Sequence, residues 1–70
     1  MEQLESLINS LDNEYLATLL KYYLTNNDYK AIRCATSGAS LMIAPSNPDC
    51  LVLEGIYKLA FELNMNSIGE

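Results

Sequence analysis

Cys34 and Cys50 are the strongest nucleophiles the chain possesses, and neither can have an imidazole beside it, because the sequence contains no histidine. The Cys–His and Ser–His pairs that activate a nucleophile are therefore unavailable. Two thiols sixteen residues apart, without histidine, do not compose a zinc site either. Cys34 lies within a run of small residues and is expected to pack rather than react. Cys50 falls where a helix should begin, a place that favours a thiolate, but its plainer role is that of a small buried side chain. No secretory signal pattern is read at the N-terminus, so both thiols are expected to be free, buried and cytosolic.

The remaining candidates for chemistry have structural explanations. Glu2 with Glu5, and Asp12 with Glu14, are acidic pairs at expected helix starts, where capping and the helix dipole account for them. Lys30 and Ser37 are seven residues apart, about two helical turns, too far for a Ser–Lys dyad. The stretch "TSGAS" lacks the glycine and lysine spacing of a phosphate loop. Nothing here recommends an enzyme, a metal site, a cofactor or a small-molecule substrate.

Nine acidic residues against four basic ones set the formal charge at −5. Phosphate recognition needs clustered cations, whereas Lys21, Lys30, Arg33 and Lys58 are scattered, so direct nucleic-acid binding is not expected. An acidic balance suits ordinary solubility, or an inhibitor whose carboxylates imitate nucleic acid. The longest apolar runs, such as Leu41 to Ala44, fall far below the ~18 residues of a membrane span, and a soluble, cytoplasmic chain is expected. Half of the residues are hydrophobic, more than a disordered tail carries. A chain this short buries only about 60% of its unfolded surface, so help from a partner or a second copy is anticipated.

Four helices must position these residues. Leu4, Leu7, Ile8 and Leu11 have helical spacing, and Asp12 could cap the next segment, where Tyr15, Leu16, Leu19, Leu20, Tyr23 and Leu24 repeat it. That helix should close at "NND", since asparagine tolerates the left-handed conformation. Asp28 is expected to cap a third helix from Tyr29, with Ala31, Ala35 and Ala39 four apart and Cys34 four before Gly38. Such a strip of small side chains would let two helix backbones come close. A Ser/Gly loop followed by a strand "LMIA" is the alternative, though an isolated strand would have no partner. Pro45 should end this helix at or before Ala44. Asn47, Pro48 and Asp49 form a strong start for a fourth, apolar on more than one face, with Leu51, Leu53, Ile56, Tyr57, Phe61 and Leu63. The expectation is an all-α bundle of three to four antiparallel helices: one domain over residues 1–64 and a flexible tail over 65–70.

Leu16 and Leu51 are 35 residues apart, close to the period of about 34 of the tetratricopeptide repeat. Over about Asn13 to Ser46, and again at the fourth helix, the chain resembles that family. Leu16 and Leu19 stand at its large apolar positions, Tyr23 at its tyrosine, "NDY" at its inter-helix turn, Ala39 at its late small position and "PSNP" at its proline-containing linker. Departures are Leu20 at a usually small position, Ile32 where alanine is expected, Thr36 at a usually aromatic one, and Glu54 and Lys58 in the next unit. The resemblance implies helical hairpins that bind peptides or helices, as small secretion chaperones do. About three such repeats are normally needed for stability, and this chain has fewer than two.

The expected role is therefore a protein-interaction module, an adaptor or chaperone gripping another protein chain in an apolar helical groove. Tyr15, Tyr22, Tyr23, Ile56, Tyr57 and Phe61 are the expected partner-binding residues. Tyr22 and Tyr23 are adjacent and cannot both point inward. Ala31, Ala35, Gly38 and Ala39 are the expected helix-packing residues. Two other roles suit the same composition: an acidic inhibitor of a nucleic-acid-binding protein, as phages and plasmids provide, and a homodimeric structural protein.

Overall fold

The computed structural model describes residues 2–68 of the chain. These form helices α1 (Glu2–Asn9), α2 (Glu14–Thr25), α3 (Tyr29–Met42) and α4 (Asp49–Ile68), a small all-α bundle. The "LMIA" stretch is no strand. Leu41 and Met42 complete α3, and Ile43 leaves it in an extended conformation, φ −110° and ψ 156°, two residues before Pro45. The fourth helix continues past Asn64, where the tail was expected, to Ile68. Gly69 and Glu70, the end of that expected tail, lie outside the described residues.

Local hydrogen bonds explain where each helix starts and stops. Asn13, not Asp12, caps α2, its side-chain oxygen accepting the Leu16 N–H at 3.0 Å. The α2–α3 turn is a Schellman closure. Asn27 takes φ 54°, the Asn27 N–H donates to the Leu24 carbonyl at 3.0 Å, and the Asp28 N–H donates to the Tyr23 carbonyl at 2.9 Å. Asp28 then begins the next helix by accepting the Ala31 N–H at 3.1 Å. Two helix ends thus share three residues, which forces α2 and α3 into a tight hairpin. At α4, Asn47 accepts the Asp49 N–H at 2.8 Å, and Pro48 occupies a position that needs no donor.

The helices pack as a ring: α1 on α2, α2 on α3, α3 on α4, and α4 back on α1, with α3 and α4 the most extensive pair. Between the diagonal pairs, α1 with α3 and α2 with α4, no Cα atoms come within 8 Å of each other, so these helices meet only through side chains in the centre. One stripe from each helix meets in the centre: Leu4 and Ile8 with Leu11 just beyond α1, Ala17, Leu20 and Leu24, Ile32 with Thr36, and Leu53, Ile56 and Ala60. Every spacing is three or four residues, the helical period. Fully burying each Leu or Ile contributes roughly 1.5 to 3 kcal/mol, so this core supplies most of the favourable free energy. Leu7, Leu16, Tyr23 and Leu63 form a half-buried outer layer around it.

Candidate protein-interaction surface

Large apolar side chains stand in solvent mainly at one end of the bundle, where α2 begins, α3 ends and α4 begins. Tyr15 is 80% exposed, Leu41 85%, Met42 86% and Leu51 79%. Tyr15 and Met42 both line a cleft of about 520 Å³, together with the half-buried Leu16 and Ile43 and the exposed Asp12 and Pro48. Leu16 and Ile43 adjoin the core stripes of α2 and α3, which makes that part of the lining apolar.

This end is held in shape by polar bonds. Asp49, buried, accepts the backbone N–H of Asp12 at 2.9 Å and of Asn13 at 3.3 Å. The start of α4 is thereby joined to the α1–α2 link. Across the α3–α4 turn, the Cys50 thiol donates to the Ala44 carbonyl at 3.1 Å, and the Asn47 N–H donates to the same carbonyl at 2.9 Å.

A second concave surface runs along the α3/α4 seam, made of two adjoining depressions of about 460 and 370 Å³ that share Ser37, Leu41 and Tyr57. Lys30 and Arg33 line one end, Cys50 and Glu54 the other. The Arg33 guanidinium lies 4.6 Å from the Phe61 ring centre and 5.8 Å from that of Tyr57, a cation–π arrangement that fixes its head.

The expected partner-binding residues are divided among these places. Tyr15 belongs to the cleft, Tyr57 to the seam, and Phe61 lies beneath Arg33. Tyr22 is exposed and Tyr23 half-buried against the core, their ring centres 6.0 Å apart; adjacent helical residues do diverge as expected. Ile56 is a correction. It is fully buried in the core beside Leu53 and Ala60, where no partner reaches it. Ala31, Ala35 and Ala39 are half-buried, the last two against the core. Gly38 is exposed, and a Cβ built on it meets nothing within 4 Å, so no helix approaches there. Cys34 and Cys50 are free thiols, the former exposed and the latter half-buried, which corrects the expectation that both are buried. The small-residue run is split: its Ile32 and Thr36 stripe faces the core, and its Cys34 and Gly38 stripe faces water.

Leu41, Met42, Leu51 and Arg33 were not singled out as surface residues, although a signal existed. Extending the α3 core stripe from Ile32 and Thr36 in steps of three or four reaches Ala39 and Ile43, and leaves Leu41 and Met42 outside it. Leu51 precedes the buried Leu53 by two, the wrong spacing for the same face.

Among the described residues no group of three or more metal-binding side chains is assembled, and no helix is long and apolar enough to cross a membrane. Compared with models of known protein families, with curated proteins and with solved structures, the chain matches none. The fold defines a class, the small all-α bundle.

Proposed function

We propose that this chain is a protein-interaction module, an adaptor or chaperone, that holds another protein chain against the apolar end of its bundle. One observation carries the reading: Tyr15 and Met42, each at least four-fifths exposed, line one depression with Leu16 and Ile43, while Leu41 and Leu51, also exposed, lie at the same end of the bundle. Single exposed hydrophobics need no explanation, but several gathered at one end of a small domain mark a contact site. The tetratricopeptide resemblance supports this through the α2–α3 hairpin, with its "NNDY" turn. It does not extend to stacked repeats, because the backbone of α4 lies close to α1 and α3 and not to α2.

Only part of the acidic set is engaged within the fold, while Glu5, Asp12, Glu14 and Glu62 are exposed, so the salt dependence of binding is what separates the inhibitor reading. Asp49 is buried, Asp28 is a helix cap, and Glu54 pairs with Lys58 at 3.0 Å. Co-purification of the native complex from the protein's own cells, with mass and size measurement, tests the proposal. A stoichiometric second protein, lost in a Tyr15→Asp/Met42→Asp variant that still folds and insensitive to moderate salt, is the expected result. A folded monodisperse monomer without a partner overturns it, as does a stable dimer that needs nothing else.

A further inference from the structure

We infer that the α3/α4 seam receives an amphipathic helix of another polypeptide, with a carboxylate of that helix on Arg33 and Lys30 and an apolar side chain against Leu41. The inference rests on the interaction-module reading and adds a second surface and the chemistry of its occupant. Charge is the first reason. The chain carries −5 overall and has only four cations, yet two of them line the same end of this seam. Lys58 is paired with Glu54, whereas neither Lys30 nor Arg33 makes an ion pair among the described residues. The Arg33 Nε is buried, so an incoming carboxylate meets the terminal Nη groups of the guanidinium. Its guanidinium, held over Phe61, presents a charge whose side-chain freedom is already spent, the condition under which Arg takes a carboxylate in two parallel hydrogen bonds.

Shape is the second reason. Cys34, Ser37 and Gly38 leave the α3 side of the seam shallow, and the space where a Gly38 Cβ would stand is open. Another helix backbone can therefore settle close. Leu41 stands two turns of α3 beyond Arg33, about 12 Å along the axis, and it is 85% exposed. A helix with an acidic residue about two turns from an apolar anchor matches both ends. A bare anion would leave Leu41 and Tyr57 unused, and a second copy of this chain would bring another −5 of like charge.

The probe is a helix-locked amphipathic peptide of about four turns, carrying Glu two turns from a Leu anchor, with a Lys-for-Glu peptide as its comparison. Titrated into the isotope-labelled full chain, the Glu peptide should shift the amides of Cys34, Ser37, Gly38 and Leu41 and bind at least about tenfold tighter than the Lys peptide. Lys30→Glu, which leaves the Arg33 stack intact, should cut that preference severalfold without reversing it, because Arg33 remains to hold the carboxylate. Gly38→Leu should abolish binding without lowering the melting temperature, because its side chain enters open space and replaces a helix-interior glycine. Equal affinity for the two peptides, or no binding, overturns the inference. Shifts confined to Tyr15 and Met42 overturn it while leaving the interaction-module reading in place. Dimerisation of the free chain through the seam overturns the choice of occupant.

Discussion

The carboxylate of Asp49 accepts the backbone N–H of Asp12, 37 residues earlier in the chain, at 2.9 Å. With its second bond, to the Asn13 N–H, this side chain closes the ring of helices at the end that carries the apolar cleft. Burial of a carboxylate is tolerated here because N–H groups and the positive end of α4 surround it.

Asp49→Ala should destabilise the protein by about 2 to 4 kcal/mol, since it strands two part-buried N–H groups and removes a charge from the helix start. Asp49→Asn, which keeps one acceptor oxygen, should cost roughly half as much. The midpoint of urea unfolding reads both. An unchanged midpoint in the Ala variant would mean that water replaces the carboxylate at no cost.

Ile56 and Tyr15 should separate core from contact surface. Ile56→Ala empties a fully buried site and should cost about 2 to 5 kcal/mol. Tyr15→Ala, at a position 80% exposed, should stay within about 0.5 kcal/mol of wild type and weaken only partner binding. Thermal unfolding of the two variants beside the wild type decides it, and similar losses in both would contradict the placement of Ile56.

Gly38 and Ala35 test the two faces of α3. Gly38→Ala should stabilise by about 0.5 to 1 kcal/mol, because the added methyl meets nothing and a helix interior disfavours glycine. Ala35→Leu should instead cost about 1 to 3 kcal/mol by overpacking, since Ala35 already lies against the core. A neutral Ala35→Leu would mean that the seam can open at that point.

Thr36 is fully buried, and its single hydroxyl proton is shared between the Ile32 carbonyl at 2.8 Å and the Arg33 carbonyl at 3.0 Å. Because those carbonyls belong to the helix in any case, Thr36→Val should cost less than about 1 kcal/mol. A loss of several kcal/mol on denaturant unfolding would show that the hydroxyl holds α3 in a bend the valine cannot reproduce.

Much of the fold was legible from local rules. "NNDY" and "SNPD" announce their turns because Asn27 tolerates a positive φ, Asp28 and Asn47 are capping residues, and proline at a helix start forfeits no bond. The candidate site was less legible. Tyr15 and Tyr57 are where an interaction residue should be, but Ile56 sits one position over on α4 and belongs to the core. On a helix apolar around most of its circumference, periodicity cannot say which stripe faces inward.

By itself, the sequence determined the four helices, their turns and the lack of histidine, since propensity, capping and composition act within a few residues. Only the tertiary structure decided that α4 closes on α1 rather than α2, that Asp49 turns inward to bind Asp12, and that Gly38 faces water. These are outcomes of competition among helix faces for one small core. A face is chosen by what packs against it, from residues far away in the chain.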